Sequence, residues 1–201
     1  MEGKPEIREE ALARREGIPV SERERKSALI CEKLLAELHL LAGKAVTVYA
    51  AMGSEVSLDP FIRAAFLRGA RLCFPCMTRV REPRPDGSRE TFMAFREVSR
   101  KHYEAGGIPF AERPLRSYPI DDPALGTFPL VTPNDIDAVI VPVVAFDPHF
   151  NRLGYGGGNY DRFLPQLRPD TLVIGVAFTE QRIPHVPTEE HDRNLPHIIS
   201  A

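Results

Sequence analysis

Cysteine is scarce, with Cys31, Cys73 and Cys76 the only three in 201 residues. That is too few for a disulfide framework, and a reducing cytoplasm is the expected compartment. Lysine is nearly as scarce: 5 residues against 21 arginines. That bias favours planar, bidentate contacts with carboxylates or phosphates. No apolar run approaches the ~20 residues of a membrane span, and the opening Met1-Glu-Gly-Lys-Pro5 lacks the apolar core of a secretion signal. Neither sign of charge dominates, since 26 basic and 28 acidic side chains leave a net −2. Nothing in that balance draws the chain generally to nucleic acid or to an anionic membrane.

What remains is ordinary for a soluble globular protein: 43% hydrophobic and 27% charged residues, too apolar for disorder. At roughly 150 residues per domain, residues 1–201 read as a single domain. A domain of this size buries roughly 70% of its unfolded surface, so it needs no covalent staple. There is no internal repeat and no low-complexity tract.

The first forty residues predict two helices. Pro5 suits a first helical position, and the first helix runs to Gly17-Ile-Pro19. Ser21-Glu-Arg-Glu24 has capping-box spacing, and Ile30, Leu34, Leu38 and Leu41 recur at helical intervals before Gly43. Ala45–Ala51 predicts a buried strand, Asp59–Gly69 a helix and Arg71–Pro75 a second strand. That βαβ unit argues for a parallel sheet. Residues 77–90 predict a solvated loop, and Thr91–Phe95 a weaker strand. The stretch Gly106–Pro133 carries six of the 19 prolines; long irregular loops inside compact domains are often binding surfaces. Asp137–Phe146 (DAVIVPVVAF) is the strongest strand pattern, followed by a glycine-rich turn, a helix beginning near Asn159, and a strand over Thr171–Phe178. Ile198-Ile199 suits a short edge strand. The expected fold is α/β, a three-layer domain with a mostly parallel open sheet flanked by helices.

Open parallel sheets bind ligands beyond the carboxyl ends of their strands. After the strongest strand the chain reads Asp147-Pro-His-Phe-Asn151-Arg152-Leu153-Gly154-Tyr155-Gly156-Gly157-Gly158-Asn159-Tyr160-Asp161-Arg162. Four glycines in five positions let the backbone turn tightly and offer N–H groups without Cβ obstruction. With the following helix they form an anion cradle suited to phosphate, flanked by Arg152 and Arg162. Asp161 could hold a divalent cation that phosphates also bind. The competing reading is a loop that merely turns. No Walker string G-x-x-x-x-G-K-[ST] occurs, and the Rossmann fingerprint fails because Gly154 lies eight residues beyond Phe146 and Asn159 replaces the third glycine.

The string F-D-x-x-x-N-R-L-G-x-G-x-G-x-Y-D-R resembles the signature of the 5-formyltetrahydrofolate cyclo-ligase (5,10-methenyltetrahydrofolate synthetase) family. Weaker landmarks follow in the family's order: Lys4-x-x-x-Arg8 with Arg14-Arg15, Glu55 after the first strand, Met93-x-Phe95, Glu112-Arg-Pro114 and His191-Asp192. The resemblance implies ATP-dependent closure of 5-formyltetrahydrofolate to 5,10-methenyltetrahydrofolate, with ADP and phosphate released. It implies ATP and folate sites facing each other in one cleft, with Mg²⁺ and no nucleic-acid or membrane partner, in a monomer or weak homodimer. Lys4, Arg8 and Arg152 would contact ATP phosphates, with Leu153, Gly154, Tyr155, Gly156, Gly157, Gly158, Asn159 and Tyr160 wrapping them. Ala50, Glu55 and the 155–159 backbone would face the folate, Glu55 bonding the pterin ring. Arg152 and Tyr160 would be catalytic, and Asp161 and Asp192 would hold Mg²⁺.

Two positions depart from the pattern many members show. Gly157 stands where they have lysine and Asn159 where they have tyrosine. A lost cation beside a transferring phosphoryl group costs rate unless another replaces it. A catalytically weak relative that only binds nucleotide or folate is therefore one rival. A sugar-phosphate or coenzyme-A enzyme on a similar sheet is another.

Taken alone, several of these residues have plainer readings. Lys4 and Arg8 would be a solvated helix face, Asp192 a tail carboxylate, and Glu55 either functional or a helix cap. Cys73-x-x-Cys76 ends a strand and lacks partner ligands, which favours a structural role over zinc or redox chemistry. His185, His191 and His197 recur every six residues, which invites a metal reading, but the spacing fits no single helix or strand face and favours solvated tail histidines.

Overall fold

The structure, a computed structural model, describes residues 3–83, 86–189 and 193–201. Helices α1 (Lys4–Glu16) and α2 (Val20–Glu37) open the chain, followed by β1 (Ala45–Thr47), α3 (Asp59–Leu67), β2 (Arg71–Arg79) and β3 (Thr91–Val98). Two short helices, α4 (Arg100–Ala105) and α5 (Pro109–Glu112), lead to β4 (Tyr118–Pro119) and β5 (Leu130–Val131). Then come β6 (Ala138–Pro142), β7 (Ala145–Phe146), β8 (Arg152–Leu153), α6 (Asn159–Phe163), β9 (Leu172–Ala177) and β10 (His197–Ser200).

Eight strands form one sheet in the order β10-β9-β6-β1-β2-β3-β5, with β4 added beside β2. The β10–β9, β9–β6, β6–β1, β1–β2 and β2–β4 pairs are parallel. The β2–β3 and β3–β5 pairs are antiparallel. The expected βαβ unit is therefore present. Ile198-Ile199 does form an edge strand, and it pairs parallel with β9 at the sheet's margin.

Strand residues sort alternately onto two apolar layers, as a period of two requires when both faces are buried. Val46, Leu72, Phe74, Ile140, Ile174 and Ile199 join Ile30 and Leu34 of α2 and Phe61 and Ile62 of α3. Their neighbours Ala45, Cys73, Val139, Val141 and Ile198 face the other way, onto Phe95 and Phe163 of α6. A third cluster docks α1 on the β7–β8 ribbon through Ile7, Ala11, Val144, Ala145 and Leu153. All three cysteines are buried and free, so Cys73 and Cys76 are core residues of β2 as expected.

Several boundaries differ from the sequence reading, each for a local reason. The second helix ends at Glu37 rather than Leu41, with Leu38 in a non-helical conformation, and its expected capping box is absent because Pro19 occupies the N-cap. Strand β1 stops at Thr47, and Tyr49 turns its hydroxyl to the Val56 carbonyl at 2.9 Å. Strand β2 runs on to Arg79 because β3 pairs with it across the whole of 72–79 and 91–98. The long strand expected over 137–146 breaks after Pro142. There the buried Gln181 side chain donates to the Val143 and Val144 carbonyls at 2.6 and 2.9 Å, satisfying backbone that has left the sheet. Residues 106–133 are compact rather than loose: the buried Arg96 guanidinium donates to the carbonyls of Phe128, Ile120 and Leu125.

Candidate active site

A cavity of about 910 Å³ lies beyond the carboxyl ends of β1 and β6, the position an open parallel sheet predicts. Lys4, Arg8, Ala50, Glu55 and every residue from Arg152 to Asp161 line it. The structure thus brings together each site residue named from the sequence except Arg162, which bonds the turn but does not line the cavity, and Asp192. Asp192 lies outside the described residues, as does His191.

The turn that carries the glycines is built by residues with no part in the cavity. Asp147 is fully buried, and its carboxylate accepts from the backbone of His149, Asn151 and Val186 and from the Asn151 amide at 2.8 Å. Burial alone would raise its pKa, but these donors together hold it below the ordinary value. The Asp and Asn of the signature string are therefore the scaffold of the turn. Gly156 and Gly158 adopt φ of +95° and +61°, a conformation costly for any residue with a Cβ. Helix α6 has only five residues, so the cradle rests on this turn and its side chains more than on a helix dipole.

Cations converge on the turn from three elements. From α1, Arg8 donates to the Gly154 carbonyl at 2.7 Å, and its guanidinium lies 3.4 Å from where a Cβ on Gly156 would sit. From α6, Arg162 donates to the Gly157 carbonyl and to Asn159 Oδ1, both at 2.8 Å. Arg152, its side chain 5% exposed, pairs with Asp161 at 2.7 Å and also donates to the Arg193 carbonyl. Lys4 pairs with Glu189 at 3.2 Å. Residues 4 and 8 thus meet residues 189 and 193 beside the glycine turn, and at Gly157, where the family pattern has lysine, Arg162 reaches the backbone carbonyl.

The opposite end of the cavity differs in character. Glu55, 7% exposed, accepts the Met52 backbone N–H at 2.7 Å through Oε2, while its buried Oε1 has no hydrogen-bond partner. It closes a turn after β1 and does not cap α3, whose N-cap is Leu58. Burial pushes its pKa up, opposed by the Met52 N–H, the Arg15 charge and the Tyr155 hydroxyl. An orphaned buried oxygen costs free energy unless a donor reaches it, and Glu55 is among the residues that line the cavity. Met52, Met77 and Met93 line the same space. Met77 and Met93 are directly paired across β2 and β3. Burial also pushes the Tyr160 phenol well above its ordinary value.

The sequence reading named Arg14 and Arg15 only as a basic stretch, yet Arg15 is 3% exposed and lines the cavity. The signal was available: positions 4, 8, 12 and 15 share one helix face, and all four line the site. Ser54 and the methionines carried no such pattern, because the loop after β1 and the β2–β3 hairpin meet only in the fold. Of the three evenly spaced histidines, His185 lies 4.0 Å from Asp147 and His197 3.4 Å from Glu37 across β10 and α2, while His191 is outside the described residues.

Comparison with known proteins agrees with this geometry. The model of the 5-formyltetrahydrofolate cyclo-ligase family matches residues 1–201. The 5-formyltetrahydrofolate cyclo-ligase of Mus musculus is 26% identical over 96% of this chain and 91% of its own. The structure of a 5,10-methenyltetrahydrofolate synthetase from Mycoplasma pneumoniae has the same fold, with a TM-score of 0.72 at 24% identity over 98% of each chain. That of the Aquifex aeolicus 5,10-methenyltetrahydrofolate synthetase gives 0.69 at 26% identity, covering 98% of this chain and 89% of the other. The chain belongs to the 5-formyltetrahydrofolate cyclo-ligase family, whose members are ligases.

Proposed function

We propose that this protein, over residues 1–201 as one domain, converts 5-formyltetrahydrofolate and ATP to 5,10-methenyltetrahydrofolate, ADP and phosphate. The observation that carries the reading is the two-ended cavity. One end is a glycine-rich turn flanked in the cavity by Lys4, Arg8 and Arg152, with Arg162 bonded to the turn's backbone. The other holds a buried carboxylate with an orphaned oxygen beside an apolar wall. A triphosphate suits the first end and a pterin with ring N–H donors the second.

The chemistry needs both ligands. A formamide oxygen leaves poorly and its C–N bond is resonance-stabilised, with a rotational barrier of ~18–20 kcal/mol as a gauge. Transfer of the γ-phosphoryl group to the formyl oxygen makes the carbon electrophilic and releases ADP. Nitrogen 10 then attacks that carbon, the C–O bond breaks, and phosphate leaves with the proton that nitrogen 10 gives up. The protein's part is positioning and charge neutralisation. Arg8 and Arg152, with Lys4, meet phosphate oxygens, the 153–160 backbone wraps them, and Tyr160 donates its hydroxyl. Glu55 and Ala50 hold the pterin. Arg113 and Arg116 line an adjoining recess of about 470 Å³ that shares Met52, Gly53, Pro114 and Leu115 with the main cavity. They supply cations for the substrate's glutamate carboxylates.

No group of three or more His, Cys, Asp or Glu side chains suited to an ion occurs among the described residues. Mg²⁺ carried in on a nucleotide needs only one or two protein carboxylates beside phosphate oxygens and water. Asp161 fits that need with one oxygen while the other bonds Arg152; Asp192 is the second carboxylate proposed. The ion's contribution is neutralisation of phosphate charge. No helix among the described residues is long and apolar enough to cross a membrane. Cytoplasmic placement and a monomeric or weakly dimeric state belong to the same proposal.

The test is direct. Purified protein with 5-formyltetrahydrofolate, Mg²⁺ and ATP should generate the near-ultraviolet absorbance of a methenyl-folate, and not without ATP. Binding of both ligands without that signal would establish the non-catalytic reading instead, and binding of neither would defeat the assignment.

A further inference from the structure

Arg15 joins the two ends of the cavity. It sits in the last turn of α1, 3% exposed. Its Nε–H donates to Ser54 Oγ at 2.9 Å, and a terminal nitrogen donates to the Tyr155 hydroxyl at 2.8 Å. Its guanidinium carbon lies 5.7 Å from the Tyr155 ring centre. Ser54 precedes Glu55 in the turn whose Met52 N–H holds the Glu55 carboxylate. Tyr155 stands between Gly154 and Gly156, and the Gly154 carbonyl already accepts from Arg8 on the same helix.

A buried guanidinium normally requires a carboxylate partner. No ion pair within 4.0 Å involves Arg15 among the described residues; its hydrogen-bond acceptors are two neutral hydroxyls, Ser54 Oγ and the Tyr155 hydroxyl, and the carboxylate its charge acts on is the buried Glu55. Packing alone would not call for a cation there, because a Met or Leu fills the same space without the desolvation cost. What the guanidinium adds is a positive charge that favours the buried Glu55 carboxylate and a rigid fork that ties the glycine turn to the Glu55 turn.

We infer that Arg15 is a positioning residue that couples nucleotide binding at the glycine turn to folate binding at Glu55. A ligand that orders Tyr155 orders Ser54 and Glu55 through the fork, so the second ligand meets a pocket already set. Linkage makes the effect reciprocal. This rests on the function proposed above, and its measurement needs no turnover.

The experiment measures the dissociation constant of 5-formyltetrahydrofolate by calorimetry, with and without saturating Mg²⁺ and a non-hydrolysable ATP analogue. The ratio of the two constants is the coupling. The unaltered protein should show a ratio of about 5 or more. Arg15→Met and, from the other end of the same bond, Tyr155→Phe should each bring it to about 1. The double variant should lose no more than either single one, as expected when both remove one link. A merely structural defect weakens both constants together and leaves their ratio intact. Tyr155 is half exposed on a loop, so its variant keeps the test valid should Arg15→Met fold poorly. A ratio near 1 in the unaltered protein, or a ratio unchanged in the variants, overturns the coupling. Failure of the unaltered protein to bind either ligand overturns the function proposal itself, and the coupling with it.

Discussion

Replacing Gly156 and Gly154 separately by alanine tests whether the glycine turn is held by its dihedrals. Gly156 has φ +95°, and an added Cβ would lie 3.4 Å from the Arg8 guanidinium. Gly154 is outside the left-handed region, and an added Cβ would meet nothing within 4 Å. Both changes restrict the unfolded chain equally, so that contribution cancels between them. What remains is the strain of a left-handed L-residue, about 1–2 kcal/mol. For a chain of this length that is a melting temperature about 2–8 °C lower for Gly156→Ala than for Gly154→Ala. Thermal denaturation without nucleotide reads it. Relief of that strain by distortion of the turn should also raise the Michaelis constant for ATP in Gly156→Ala, by up to about 30-fold. Equal melting temperatures, or a lower one for Gly154→Ala, would refute the reasoning.

Three further outcomes follow from the site. Glu55→Gln keeps an acceptor for the Met52 N–H but removes the charge, and should weaken folate binding about tenfold to a hundredfold while sparing nucleotide binding. Because burial raises the Glu55 pKa above its ordinary 4.5, the folded protein holds that proton longer than the unfolded chain. Wild-type stability from this group therefore falls as pH rises above about 4.5, so Glu55→Gln should gain stability relative to wild type between pH 4 and 7 in parallel melts. Asp161→Asn leaves Arg152, 5% exposed, without its carboxylate; it should lower turnover and also destabilise the fold by about 1–3 kcal/mol in urea titration, whereas unchanged turnover would remove Asp161 from the reaction. Burial lifts Cys31 to about 11 and Cys73 to about 12. At pH 8 native protein should therefore react with a thiol reagent only on unfolding, and rapid native labelling would contradict the buried β2 and α2 positions.

How much was legible in the sequence depended on whether a feature was local. The 3.6-residue period of α2 and the strand patterns over 137–146 and 171–178 reflect elements that bury their own side chains, and a helix and strands lie within those stretches, at 20–37, 138–142 and 172–177. The glycine spacing and its flanking arginines likewise sit on one short segment. Boundaries were misjudged where distant partners set them. β2 is nine residues long because β3 pairs with it, and the strand after Ala138 ends where Gln181, some forty positions later, takes over its carbonyls.

The sequence by itself determined an α/β chain with a phosphate-suited turn after its strongest strand, because hydrophobic period and glycine content act within a few residues. Only the tertiary structure decided that Arg15 is a buried bridge rather than a surface charge, that Glu55 keeps one oxygen unpartnered, and that Asp161 pairs with Arg152. Those properties arise from desolvation and from neighbours on other elements, and neither exists until α1, the β1–α3 loop and the glycine turn close around one cavity.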